Sequence, residues 1–151
     1  MAQPVSFGDL AVGQAFTSAG RTLTETHLVT FTMLMGDWHP IHSDEVFARS
    51  TRIGKRMFHG TFGIALATAM SADLLVIQEP VIGALGISDW SFKAPLFIDD
   101  TVHIEMTVAD KRVTSDGKRG IVVRKFRLLK SDGTLAQEGT ATMMVALSDN
   151  R

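Results

Sequence analysis

A carboxylate and two imidazoles lie within six positions of one another, at Asp37, His39 and His42. These side chains hold and transfer protons near neutral pH. Pro40 restricts its own backbone and keeps His39 out of helical conformations, so we predict a shaped loop here rather than a helix interior. A carboxylate and an imidazole fixed on one short turn could form an acid/base pair. The competing interpretation is ordinary turn chemistry with surface histidines.

A further histidine of interest, His59, is followed by Gly60 and comes directly before a long apolar stretch rich in small residues. This stretch predicts a helix over residues 61–77 that is hydrophobic on nearly every side, and such a helix is buried, typically under a sheet. Gly60 would let a substrate carbonyl approach the backbone closely. The free N–H groups of a helix N-terminus can also hold a negatively charged oxygen. Close helix packing is the alternative role for Gly60 and Gly63.

Two further helices should position the Asp37–His42 loop. Helical spacing of apolar residues predicts one that begins after Thr24 and ends at Gly36, a glycine placed as a C-cap. His27 is not the usual Glu or Gln partner of a capping box, so Thr24 predicts only a partial one. After the loop, Ser43 is expected to cap a short helix over residues 44–49.

The second half of the chain predicts an antiparallel sheet. Residues 81–92, 101–113, 120–129 and 135–147 carry β-branched residues and partial alternation. Asp-Gly pairs at 116–117 and 132–133 predict hairpin turns. Residues 1–22 predict an entry segment with one short strand. Together these elements predict one α+β domain over residues 1–151, with a curved antiparallel sheet wrapped on a long central helix.

Basic residues fall into two groups with different expectations. In the connection over residues 50–58, Arg52, Lys55 and Arg56 could meet an anionic substrate handle, or could form a solvated loop face. Charged residues within the predicted strands are expected to face solvent; these are Lys111, Arg112, Arg119, Arg124, Lys125 and Arg127.

Composition narrows the function classes. The chain has 151 residues, 45% of them hydrophobic, and a formal net charge of −1, which argues against nucleic-acid binding and against disorder. It contains no cysteine, so disulfides, thiolate nucleophiles and Cys-based metal sites are excluded. No window reaches the roughly 18 apolar residues of a membrane span, and the N-terminus lacks the features of a secretion signal. We therefore expect a soluble, cytoplasmic protein without a membrane partner.

The segment Gly36–His42 followed by His59-Gly60 resembles the motif of MaoC-like (R)-specific enoyl-CoA hydratases, as does the later pattern from Phe92 through Pro95 to Asp100-Thr101. The family motif is Gly-Asp-x-Asn-Pro-(Leu/Ile)-His, with a His-Gly pair at the head of the next helix. The resemblance implies the hot-dog fold, in which a long helix is wrapped by an antiparallel sheet, and a homodimer.

The resemblance also implies a reaction and roles for site residues. The substrate would be a trans-2-enoyl thioester of coenzyme A, to which water is added reversibly. Asp37 and His42 would activate that water, and the Gly60 N–H would stabilise the enolate oxygen. No metal or redox cofactor is expected, since coenzyme A enters only as part of the substrate. One departure from the motif is His39, which stands where the family usually has Asn.

Four further residues are candidates for substrate contact: His39, His59, Thr61 and Thr68. His59 precedes the proposed oxyanion position, so it would either touch substrate or shape the turn. Thr68 lies two turns along the predicted central helix, where packing in the core is the alternative.

Two other functions remain open at this point. One is a non-catalytic acyl-CoA-binding or partner subunit with the same fold, since the His39 change departs from the motif. The other is a different hot-dog acyl-thioester enzyme, such as a thioesterase or an acyl-carrier-protein dehydratase. Those enzymes place a carboxylate on or beside the central helix, and here Asp73 is the helix's sole acidic residue, far from its start.

Overall fold

The structure, a computed structural model, describes residues 4–147. Its elements in chain order are β1 (Ala15–Thr17), β2 (Arg21–Thr22), α1 (Glu25–Met35), α2 (Pro40–Ser43), α3 (Glu45–Ser50), α4 (Gly60–Ser71), β3 (Val81–Phe92), β4 (Thr101–Val113), β5 (Arg119–Lys130) and β6 (Leu135–Ala146). The helices therefore precede the four long strands, as the sequence predicts. The prediction of one short strand before residue 22 is wrong, because the chain forms two there.

All strands pair antiparallel in one sheet of order β1-β4-β5-β6-β3, and β2 also pairs with β4. The hairpins β4–β5 and β5–β6 turn at the two predicted Asp-Gly pairs. Gly117 and Gly133 have φ values of 72° and 86°, in the left-handed region that glycine enters at no steric cost. The α+β prediction is confirmed.

Helix α4 packs against the inward face of this sheet. Its buried residues Phe62, Leu66 and Met70 join one core cluster with inward residues of β4, β5 and β6. Two details of the prediction are wrong. Thr61, Ala65 and Ala69 are exposed, so the helix is not buried on all sides.

The helix also ends at Ser71 rather than at residue 77. Its continuation leaves the helix because it pairs with the N-terminal segment. The Val5 N–H donates to the Val76 carbonyl, and the Gln78 N–H donates to the Val5 carbonyl. Ala72, Leu74 and Leu75 keep local turn bonds to Ala69 and Ser71, and the long-range bonds at Val76 and Gln78 then hold the chain out of the helix.

Helix α1 begins and ends as predicted, with Thr24 as N-cap and Gly36 in the left-handed conformation. The capping box is complete, because the Thr24 N–H donates to Nδ1 of His27 over 3.0 Å. The imidazole nitrogen thus accepts the hydrogen bond that a side-chain oxygen of Glu or Gln accepts in the usual capping box.

The predicted loop between α1 and α3 contains the one-turn helix α2, so the expectation that this segment is non-helical is wrong beyond His39. Pro40 breaks helix interiors but is favoured at the first helical position, and it occupies that position here. The helix α3 is capped by Asp44, whose Oδ1 accepts from the Phe47 N–H, and not by Ser43.

Three basic residues bind other parts of the protein or lie on the inward face of the sheet: Arg56, Arg124 and Lys111. Arg56 donates to both carboxylate oxygens of Glu25 and also to Glu45, which ties α1 to α3 and leaves it little freedom to bind a substrate anion. Val122, Arg124 and Phe126 are alternate residues of β5 and therefore lie on the same face of the sheet. Val122 and Phe126 are buried and Arg124 is half-buried, so the Arg124 side chain lies on the inward face and not toward solvent as predicted.

Lys111 is also wrongly predicted as solvent-facing, because its Nζ donates to the backbone carbonyls of Phe7 and Gly8. Across residues 4–147, no helix has the length and apolar character needed to pass through a membrane.

Candidate active site

Asp37, His42 and His59 meet where three elements converge. Asp37 follows the end of α1, His42 lies on α2, and His59 is the N-cap of α4. The Asp37 Oδ2 atom lies 4.0 Å from His42 Nε2 and 3.8 Å from His59 Nε2. Both imidazoles are buried, at 8% and 4% exposure, whereas the Asp37 side chain is 55% exposed. The cluster is therefore open to solvent on the Asp37 side alone.

The hydrogen bond of His42 fixes which ring nitrogen carries its proton. Nδ1 lies 2.7 Å from the Met57 carbonyl oxygen, which only accepts, so Nδ1 must donate. In the neutral ring, Nε2 therefore presents a lone pair toward Asp37. A separation of 4.0 Å from Asp37 Oδ2 is too long for a direct hydrogen bond but suits a bridging water.

Burial determines the charge of His42. Desolvation lowers the pKa of its imidazole below the ordinary value of 6.5, and the nearby His59 ring acts in the same direction. The Met57 carbonyl and the Asp37 carboxylate act in the opposite direction but do not cancel the lowering. At neutral pH the ring is therefore neutral, which is the form that can accept a proton.

His59 holds the cluster together. Its Nε2 lies 3.0 Å from the Asp37 backbone carbonyl and so donates to it, and its ring stacks on that of His42 at a centroid distance of 3.7 Å. Phe31 of α1 packs against the other side, with ring centroids 5.4 Å apart. His59 Nδ1 is buried and has no hydrogen-bond partner in the described residues. These contacts fix the position of the peptide that follows, at Gly60.

Gly60 begins α4, and no side chain caps its first turn. The first N–H groups of a helix have no intrahelical acceptor, and Gly60 donates to no other backbone group within residues 4–147. A Cβ atom at Gly60 would approach the Phe92 ring to 2.9 Å, so the helix start is pressed against β3. The Gly60 N–H is thus a free donor at a fixed position, one residue after the buried His59.

Gln137 of β6 anchors this helix start, and the sequence analysis missed it. Its Nε2 donates to the Gly60 carbonyl over 3.0 Å, and its Oε1 accepts from Trp90 Nε1 over 2.9 Å. The side chain is 3% exposed and occupies the space left by the missing side chain of Gly63. A polar residue at an inward position of a predicted strand was the signal that could have found it.

The three remaining candidates for substrate contact, His39, Thr61 and Thr68, lie outside the Asp37–His42–His59 cluster. His39 is exposed, and its Nδ1 accepts from the Ile41 N–H over 3.2 Å, which caps α2 in the way an Asn side chain would. Thr61 is exposed in the first turn of α4. Thr68 is half-buried and donates to the Ile64 carbonyl, with no contact to the three-residue cluster. Of these three, only His39 contacts the cluster: its ring lies edge-on to the His42 ring, with centroids 6.2 Å apart.

The cluster could also be considered as a metal site, since its ligand atoms lie within 4.8 Å of one another. In a tetrahedral zinc site the ligand atoms lie about 2.0–2.2 Å from the ion and so about 3.3–3.6 Å from one another, which is closer than the 3.8 and 4.0 Å seen here. The two imidazoles are stacked with an interplanar angle of 23°, which sets their Nε2 atoms side by side rather than aimed at one point. The geometry suits a hydrogen-bonded water better than a cation.

Comparison with known families shows where this arrangement belongs. Residues 9–126 match the family described as the MaoC like domain. The chain belongs to the MaoC-like domain family. The resemblance found in the motifs is thereby confirmed at the level of the family.

Among curated relatives, the (R)-specific enoyl-CoA hydratase of Rhodospirillum rubrum is 31% identical over 145 residues, covering 92% of this MaoC-like chain and 90% of the relative. Protein MaoC of Klebsiella aerogenes is 33% identical over 107 residues, covering 71% of this chain. The chain spans only 31% of the length of that second relative.

A solved structure supports the fold prediction. A conserved hypothetical protein from Mycobacterium tuberculosis, described as having a double hotdog fold, superposes with a TM-score of 0.84 at 18% identity. The match covers 98% of this chain and 46% of that one. At this identity the likeness shows the fold alone, and it confirms the hot-dog architecture.

Proposed function

We propose that this MaoC-like chain is a hydro-lyase that adds water reversibly to a trans-2-enoyl-CoA thioester and gives an (R)-3-hydroxyacyl-CoA. The observation that carries the proposal is the placement of a neutral, buried His42 with its Nε2 lone pair 4.0 Å from the Asp37 carboxylate, beside the free helix start at Gly60. The Rhodospirillum rubrum relative, which bears the name of this activity, supports the same conclusion.

The first step is the activation of water. A water bridging Asp37 Oδ2 and His42 Nε2 donates one hydrogen to each, which leaves its oxygen lone pair directed away from both. As this oxygen forms a bond to the β-carbon of the enoyl group, His42 Nε2 accepts the departing proton. A positioned acid/base group of this kind contributes about 10²–10⁴-fold to rate.

The electron pair of the C=C bond moves to the thioester, so that negative charge develops on its oxygen. The N–H of Gly60 would donate to that oxygen. A fixed donor of this kind is worth about 3–4 kcal/mol when it is aimed at the developing charge. One member of the Asp37/His42 pair then returns a proton to the α-carbon. Because the oxygen and the proton come from one side, the addition is syn.

Product formation is the direct test of the proposal. Purified protein incubated with crotonyl-CoA and with longer enoyl-CoA thioesters should consume the enoyl absorbance and yield 3-hydroxyacyl-CoA. If tight acyl-CoA binding were found without turnover at any acyl length, the chain would be a non-catalytic acyl-CoA-binding subunit. Release of free coenzyme A thiol from the thioester would instead indicate a thioesterase.

The pH dependence of turnover follows from the state of His42. Its pKa is lowered by burial, and only the neutral ring can accept a proton from water. Activity should therefore be retained as the pH falls through 6.5 and should be lost only at lower pH. A profile of kcat/KM against pH measures this limb, and an acid limb above pH 6.5 would contradict the assignment of His42 as the base.

A homodimer is the expected assembly. Strand β3 is an edge of the sheet with apolar side chains more than half exposed, including Val81, Ile82 and Leu85. Exposed edges with apolar side chains tend to pair with another strand. Gel filtration with light scattering should give twice the monomer mass at micromolar concentration, and a monomer would contradict the expectation.

A further inference from the structure

Arg124 is a cation without an acidic partner on the inward face of the sheet. Within residues 4–147 its guanidinium makes one hydrogen bond, from Nη1 to Ser71 Oγ over 3.3 Å. The Nε–H group is buried and has no partner. By contrast, Arg49, Arg56, Arg119 and Arg127 each pair with a carboxylate. A buried polar group without a partner is costly, which suggests that something outside the described residues satisfies it.

A cavity adjoins this guanidinium. It has a volume of about 360 Å³ and lies between the second half of α4, the start of β3 and β6. Its wall includes Thr68, Ser71, Leu75, Val81 and Met143, and among the residues that the structure describes Arg124 is the only charged one lining it. Ser71 already donates its hydroxyl hydrogen to the Thr68 carbonyl over 2.7 Å, so it can only accept from Arg124. The cavity therefore combines apolar walls with one unneutralised positive charge.

The cavity lies beyond the proposed reaction centre along α4. Gly60, Ile64 and Thr68 are half-buried at four-residue spacing, so they form one edge of the helix between its buried and exposed faces. From Gly60 to Ser71 there are eleven residues, or about 16 Å at 1.5 Å per residue. The sheet gives a second measure of this distance.

Gln137 bonds to the Gly60 carbonyl, and Arg124 pairs with Ala141 across β5 and β6. Four residues of strand separate Gln137 from Ala141, or about 14 Å at 3.4 Å per residue. Both measures agree on the distance from the thioester position to the guanidinium. At about 1.2 Å per bond, an extended acyl chain of about twelve to thirteen bonds, and so of about thirteen to fourteen carbons, covers it.

We infer that Arg124 binds a carboxylate at the far end of the acyl chain, so that the preferred substrates are thioesters of dicarboxylic acids of about this length. This inference rests on the proposed function only for the position of the thioester at Gly60. A carboxylate would accept the free Nε–H together with an N–H of the guanidinium's terminal nitrogens, in the fork geometry that arginine favours. A methyl-ended chain of the same length would instead bury the guanidinium without a partner.

Binding of two saturated thioesters tests the inference without turnover. The first is the mono-CoA thioester of a straight-chain dicarboxylic acid of the above length, and the second is the monocarboxylic thioester with the same number of carbons. Isothermal titration calorimetry on the full chain should show the dicarboxylic thioester binding at least about tenfold more tightly, as expected for a charge-assisted pair in a desolvated site.

Variants then locate the effect. Arg124→Met should abolish the preference, and it should fold, because replacing a buried charge by an apolar side chain is often neutral or stabilising. Lys125→Met removes an equal charge from the next, exposed position and should keep the preference. Equal affinities in the unmodified protein, binding of neither thioester, or a preference that survives Arg124→Met would each overturn the inference. If the preference holds but the enoyl forms are not hydrated, the carboxylate site stands and the hydratase proposal fails.

Discussion

Asp37→Asn and His42→Ala are each expected to lower kcat for enoyl-CoA hydration by at least about a hundredfold. The first change removes the charge and one acceptor for the bridging water, while the second removes the lone pair that takes its proton. The Asp37 side chain is largely exposed, so its variant should fold, whereas His42→Ala removes a buried ring together with its bond to the Met57 carbonyl and its stacking on His59. The measurement is the initial rate under saturating substrate, with circular dichroism to verify folding.

Matched controls are available for both changes. Asp99→Asn makes the same chemical change at an exposed residue with φ of 70°, a conformation that Asn tolerates. His103→Ala removes a half-buried imidazole from β4, outside the candidate site. Both controls should retain turnover. A near-normal rate for Asp37→Asn or His42→Ala would show that the acid/base roles are wrongly assigned.

Gly63→Ala should be the most destabilising single-methyl change in α4. The added Cβ would lie 2.2–2.4 Å from the amide of Gln137, which is buried and bonded at both ends. Gly→Ala within a helix normally gains about 1 kcal/mol. Here, overpacking and the loss of buried hydrogen bonds should outweigh that gain and leave a net cost of roughly 2–3 kcal/mol. The melting temperature should then fall by roughly 5–10 °C.

A second variant shows whether Gln137 is the cause. In a Gln137→Ala background the space is already vacated, so Gly63→Ala should become neutral or slightly stabilising. Gly8→Ala is the control, because its nearest heavy atom is 3.6 Å from the added Cβ, which is ordinary contact. If Gly63→Ala stabilised the unmodified protein, the close packing of α4 on β6 would be wrong.

The strands were the most predictable part of the fold. Side-chain alternation and two Asp-Gly turns located β3, β4, β5 and β6 to within a residue at each end, because such turns fix the register of a hairpin. Helix ends were less predictable. Residues 72–77 are mostly apolar like those of α4, yet they are not helical. Val5, which is far away in sequence, forms backbone hydrogen bonds with Val76 and Gln78 instead. Local pattern does not contain that information.

The candidate site was predictable in its residue types but not in its arrangement. The spacing of Asp37 and His42 indicated a pair, whereas the stacking of His59 on His42 depends on how α2 meets the start of α4. Arg124 was predicted at the surface because a charge within a strand usually marks the solvent side. In the sequence, Arg124 alternates with the apolar residues Val122 and Phe126, which places all three on one face of the strand. That this face is the inward one is seen only once β5 is paired in the sheet.

The stereochemistry of hydration in deuterated water tests the central claim most directly. One water held between Asp37 and His42, beside one oxyanion donor, can deliver hydroxyl and deuteron only to a single face of the double bond. Nuclear magnetic resonance of the product should therefore show a single configuration at the hydroxyl-bearing carbon, which the proposed function makes (R), and one deuterium at the α-carbon, in the syn relationship. Absence of hydration, both configurations at that carbon, or deuterium distributed over both α positions would contradict the account.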